Sequence, residues 1–243
     1  MMKGKIKISG YWIATVIYGL LAVLAVLVFV DSIGKNLIRI CVTYKWEWWH
    51  DGSYVGLFAG FAAYLLILPF MQIPRMKHNM NWFMKFTHEL THTLVAVCFF
   101  AKIREFVVKD RECYVSYKAG PVGYVPITLA PYCIPIYTFM LFPFRFAGDS
   151  QYMIVFDFLI ALSYAFHVHS FIRQTRRSQP DIKGCGLARS ATFIILVHLC
   201  VLSLISAIPG GGVMNAFYRV FWGYPIEILT SPCSWFHEII RYF

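Results

Sequence analysis

Charge is scarce in this chain. Asp, Glu, Lys and Arg make up 14% of its 243 residues, and only 12 of these are acidic. Soluble domains carry about 25% charged and about 45–50% apolar residues. Here 59% are hydrophobic and the mean hydropathy is +0.61. A soluble globule of this composition could not cover itself with polar surface. A bilayer removes the difficulty, because lipid-facing side chains can be as apolar as core ones. CxxC pairs are absent, and the seven cysteines are scattered through mostly apolar runs. That argues against a thiolate metal cluster and a disulfide framework. No small-residue cleavage site follows the first apolar run, 8–30, so the run reads as a retained helix and not as a signal peptide. No RNA-binding signature occurs either, and no nucleic-acid partner is expected. The net charge of +10 is better explained by Lys and Arg in short loops beside anionic headgroups. There is no internal repeat and no linker between soluble halves, so 1–243 reads as one membrane-embedded domain with its core at 82–172.

Six apolar runs are candidate spans: 8–30, 54–73, 82–101, 126–144, 152–172 and 191–208. The expected class is an all-α polytopic membrane protein of about six transmembrane segments. The fourth run contains Pro131, Pro135 and Pro143, so it is kinked or partly re-entrant. Between the third and fourth runs the sequence changes character. Residues 105–109 and 113–117 are rich in β-branched and aromatic side chains, with Asp110-Arg111 between them and Gly120-Pro121 after them, which predicts a small β-hairpin. The tail, 209–243, reads as interfacial helices. If all six runs cross, Lys and Arg fall more often on the hairpin's side and turn it to the cytoplasm. A re-entrant fourth run would overturn that count.

The third run carries His88-Glu89-Leu90-Thr91-His92. On a helix, residues four apart share one face, so two imidazoles one turn apart can bind one Zn²⁺. Glu89 can then serve as general base toward a metal-bound water and afterwards protonate the leaving amine. An HExxH match on a soluble surface is often an exposed polar face. Here three ionisable groups sit in a run ending Leu94-Val-Ala-Val-Cys-Phe-Phe-Ala101, where each is costly without partners. A metal site supplies those partners.

HExxH in a membrane helix, a hairpin after it, a helix starting near Gly120-Pro121 and a later helix with an intramembrane carboxylate resemble the intramembrane zinc metalloproteases of the site-two protease type. The resemblance covers about 82–172. It implies a zinc endopeptidase acting on a membrane protein substrate within the lipid bilayer, with His88 and His92 as zinc ligands and Glu89 as base. The family's usual HExGH has Thr91 at its fourth position here, and its Asp-Gly pair is missing, since Phe158 follows Asp157. The resemblance therefore does not carry over the third ligand.

Depth suggests Asp157 as that ligand. Like His88, it lies several residues into its run, and if run 126–144 crosses fully the two stand at the same level. It is also on the third helix counted from the motif, where the family keeps its Asp. The alternative ligands are His167, if the fifth helix is displaced, and Asp181 in Ser178-Gln-Pro-Asp-Ile182, if that loop folds back. Glu227 and Glu238 in the tail would suit a glutamate-completed site. The hairpin edge could pair with an unwound substrate strand. Rival functions are an inactive homologue that binds membrane helices and an ion-binding or transport protein. Substrate identity and oligomeric state are not legible in the sequence.

Overall fold

The computed structural model describes residues 8–43, 45, 47–109, 113–120, 122–176, 178–209 and 211–231. Glu238, Asp110-Arg111, Pro121 and the last part of the tail lie outside the described residues. The chain is mostly helical. Its elements run α1 (Ile8–Ile38), α2 (Gly52–Ile67), α3 (Pro74–Cys98), β1 (Lys102–Val108), β2 (Cys113–Lys118), α4 (Tyr124–Cys133), α5 (Ile136–Ala147), α6 (Met153–Gln174), α7 (Pro180–Cys185), α8 (Leu187–Ala207), α9 (Gly212–Tyr218) and α10 (Tyr224–Thr230).

Among the described residues, four helical stretches are long and apolar enough to cross a membrane: Thr15–Val42, Gly52–Gln72, Met153–Gln174 and Leu187–Ala207. A fifth is possible if α4 and α5 count as one broken span. This is fewer than the six expected, for two reasons. The motif helix begins eight residues before the expected run, and its first half holds Arg75, Lys77, His78, Asn79, Asn81 and Lys85, so it does not pass as an apolar span. The fourth run is not one helix but two, bent by 82° at Ile134-Pro135. Proline removes a helical donor and clashes with the preceding turn, which is why the run breaks there.

Helices α2 and α6 approach closely because α2 has Gly52, Gly56 and Gly60 at four-residue spacing. A β-carbon on Gly60 would lie 2.1 Å from the Phe158 carbonyl oxygen, and one on Gly56 2.5 Å from that of Ile154. Only glycine permits this backbone contact, as in other helix pairs that lack a hydrophobic driving force. The same junction holds a buried ion pair. Arg145 of α5 donates from Nε to Asp157 Oδ1 at 2.7 Å and from Nη2 to Oδ2 at 3.2 Å, and Nη2 also reaches Ser53 Oγ at 3.2 Å. Three helices are thereby tied at one end of α6.

The expected hairpin is present. Strands β1 and β2 pair antiparallel with Val107 opposite Tyr114, and an irregularity falls between Ile103 and Glu105. The hairpin lies against α3, with the Phe86 and Phe106 rings edge-to-face at 6.3 Å.

Candidate metal centre

Helix α3 starts at Pro74, whose fixed φ and missing N–H suit the first helical position after an extended Ile73. Met84, Thr87, Thr91, His92, Val95 and Ala96 are buried, three or four residues apart as one helix face requires. Thr91, where the resembling family has glycine, is accommodated because its hydroxyl bonds the Thr87 carbonyl of its own helix at 2.7 Å. His88 and His92 stand one turn apart, with ring centroids at 5.0 Å.

Each imidazole is oriented by its other nitrogen. His88 Nδ1 lies 2.9 Å from the Gln174 side-chain oxygen, and His92 Nδ1 lies 2.7 Å from the Ile127 carbonyl. Both partners can only accept, so both Nδ1 atoms carry the proton and both Nε2 atoms present a lone pair. This is the arrangement that metal-ligating histidines commonly use. The acceptor for His92 has a cause in the sequence. Pro131 has no N–H to give to the carbonyl four residues earlier, which is that of Ile127, and His92 takes it instead. A second freed carbonyl, Tyr132 at the α4–α5 break, is taken by His198 Nε2 at 2.9 Å.

The two Nε2 atoms converge on one carboxylate oxygen. Asp181 Oδ2 lies 3.8 Å from His88 Nε2 and 3.8 Å from His92 Nε2. The Tyr132 hydroxyl donates to the same oxygen at 3.0 Å. Among the described residues this is the only group of three His, Cys, Asp or Glu whose ligand atoms all lie within 4.8 Å of one another. Ligand atoms on a tetrahedral zinc shell of about 2.0–2.1 Å radius are about 3.4 Å apart, and the two His–Asp distances exceed that by only a few tenths of an ångström. Two lone pairs facing a carboxylate repel unless a cation or a proton lies between them. A His-His-Asp triad of this kind could hold a metal ion.

Asp181 reaches the site through local chain chemistry. Gln179 is extended, Pro180 opens α7, and Asp181 occupies the first turn, where a negative charge meets the helix dipole favourably. Gly186, at φ 84°, ends the helix in a conformation that suits glycine. Helix α8 then holds α7 in place: Arg189 Nε donates to the Cys185 carbonyl at 2.8 Å and Ser190 Oγ to that of Ile182 at 3.2 Å. Burial raises the cost of charging Asp181, but a proton on the imidazole nitrogens that face it, together with the Tyr132 hydroxyl, outweighs that cost and holds the carboxyl below the usual carboxylate range.

Glu89 is buried at 8% exposure, next to His88 in the chain, and its carboxylate faces the backbone amide of Val115 in β2. On the hairpin side, burial pushes the Tyr117 phenol up to about 12 despite its 2.9 Å hydrogen bond with Thr128, so it remains a neutral hydroxyl.

Of the residues singled out from sequence, His88, Glu89, His92 and Asp181 come together. Asp157 does not join them. It is fully buried against Arg145 near the start of α6, whereas Gln174, which touches His88, is at the end of that helix. Seventeen residues of helix separate these levels, about 25 Å at 1.5 Å per residue. The depth expectation needed 126–144 to cross fully, and the 82° break reverses it. His167 lies behind His88. It is buried, its Nε2 makes no hydrogen bond among the described residues, and it lines a small cavity with Thr87, His88, Ser163, Ser170 and Gln174. Glu227 is bound to Lys35.

Sequence reasoning missed Gln174, Tyr132 and the Ile127 carbonyl. The first two carry no signal beyond their type. The third was readable from Pro131, which marks a carbonyl in need of a donor. No family model, curated protein or solved structure matches this chain.

Proposed function

We propose that this chain is a zinc-dependent endopeptidase embedded in the membrane, hydrolysing a peptide bond in or next to a membrane segment of a substrate protein. One observation carries the reading: His88, His92 and Asp181 bring one ligand atom each within 4.8 Å of one another, with Glu89 adjacent and buried. The resemblance of the HExxH helix and its following hairpin to the site-two protease type supports it. Zinc held by these three groups would lower the pKa of a bound water from 15.7 to about 7 and polarise the peptide carbonyl.

The remaining roles belong to the chain itself. Gln174 and the Ile127 carbonyl fix both imidazoles in the tautomer that leaves Nε2 available. Asp181 offsets cationic charge, and Tyr132 holds its oxygen in place. Glu89 accepts a proton from the attacking water and returns it to the departing amine. The hairpin packs beside Glu89, and its edge would support a substrate strand whose helical hydrogen bonds have been opened. Zinc analysis of the purified protein, alongside cleavage of a membrane-protein substrate with and without chelator, tests the reading. About one zinc per chain and chelator-sensitive cleavage are expected. Chelator-insensitive cleavage, or folded protein that takes up no zinc, would contradict it.

A further inference from the structure

Two clefts at and beside the candidate metal centre are unusually basic for so apolar a chain. One, of about 590 Å³, has His88 and Glu89 in its lining together with Lys85, Arg173 and Arg176. A second, of about 410 Å³, shares those three cations and extends to His78 and Trp82. Among the described residues, Glu89 is the only carboxylate lining either cleft. Among the described residues, no carboxylate lies within ion-pair distance of Arg173 or Arg176. A divalent ion at the centre would be balanced by Asp181 and Glu89, so the charge of Arg173 and Arg176 would remain.

From this we propose that Arg173 and Arg176, with Lys85 beside them in the cleft lining, form a substrate subsite for an acidic side chain, Asp or Glu, close to the bond that is cut. The proposal rests on the peptidase reading. Position sets the distance. Lys85 precedes His88 by three residues, about 4.5 Å along α3. Arg173 adjoins Gln174, whose oxygen holds His88. An extended peptide advances about 3.3 Å per residue, so a chain held at Glu89 passes these cations within a few residues of the scissile bond. An anionic lipid headgroup offers a similar charge, but it would be met by side chains spread over an outward face. Here Arg173 and Arg176, though exposed, line the same cleft as Glu89, so any chain held for hydrolysis passes them.

The test uses the full-length Glu89→Gln protein in nanodiscs of neutral lipid. The probe is a pool of synthetic peptides, identical except that Glu, Gln or Lys is scanned through the sequence, with retained peptides quantified by mass spectrometry. Peptides with Glu in a window of a few consecutive positions should be retained about tenfold over their Gln counterparts at low salt, less at high salt, and Lys peptides least. In Arg173→Gln/Arg176→Gln on the same background, the preference should fall to near unity while metal content is kept. Equal retention of Glu and Gln peptides, no retention of any, or a preference that survives the double substitution overturns the subsite. So does a double variant whose only change is weaker binding of phosphatidylglycerol vesicles, which would assign the rim to lipid. Cleavage by the unsubstituted protein is measured separately. An acidic preference without cleavage supports the subsite and contradicts the peptidase reading. Cleavage without the preference does the reverse.

Discussion

Asp157 and Asp181 are two aspartates drawn into apolar surroundings, and each meets a different solution to the cost of burying a charge. Asp157 is fully buried, held by the Arg145 guanidinium through two hydrogen bonds and capped by Ser53 through the same guanidinium. The pair is closed: both charges are neutralised within the chain, and neither carboxylate oxygen is left without a partner. Asp181 is answered by two imidazoles whose protons point away from it, toward Gln174 and the Ile127 carbonyl. That pairing is open. It leaves a gap between three ligand atoms where a cation fits. Burial alone therefore does not mark a functional carboxylate in such a chain; the protonation geometry of its neighbours does.

The comparison can be broken at several points. The largest effect is expected from Glu89→Gln, which keeps the carboxylates of both regions intact and removes only the proposed base. Cleavage should fall about 10³-fold or more, with zinc content unchanged; cleavage near the unsubstituted rate would remove Glu89 from the mechanism. Next, Asp157→Asn leaves the Arg145 charge buried without its partner, a loss of about 3–5 kcal/mol. It should appear as a lower midpoint of unfolding in detergent. The folded fraction should still bind zinc.

Smaller effects sharpen the open side. Gln174→Leu removes the acceptor that orients His88 and should weaken zinc affinity about 10–100-fold, measured by competition with a chelator of known strength. An unchanged affinity would mean that the tautomer is fixed by other groups. Tyr132→Phe removes one hydrogen bond to Asp181 and should cost about 1 kcal/mol, about fivefold in affinity. If Tyr132→Phe proved more damaging than Gln174→Leu, the hydroxyl would have a further role at the centre.

What was legible in the sequence follows the same division. Apolar runs placed α1, α2, α6 and α8, and the motif placed both imidazoles and Glu89, because periodicity and spacing are local properties. The hairpin was legible for the same reason. The third ligand was not, since it depends on which end of α6 returns to the motif helix. The prolines at 131 and 135 carried that information, but a break and a kink look alike in sequence, and only the 82° angle separates them. Gln179-Pro180-Asp181 was also readable as the opening of a helix and not simply a turn, as Pro at the first helical position followed by an acid is a start signal. Its packing under α3 is long-range and was not.

The most direct measurement is zinc stoichiometry in two matched variants, Asp181→Asn and Asp157→Asn, each compared with the unsubstituted protein after gentle purification and counted per folded chain. The open-carboxylate account predicts that Asp181→Asn loses most of its zinc while remaining folded, and that Asp157→Asn, though less stable, keeps about one zinc per chain. Full zinc in Asp181→Asn together with its loss from folded Asp157→Asn would contradict the account.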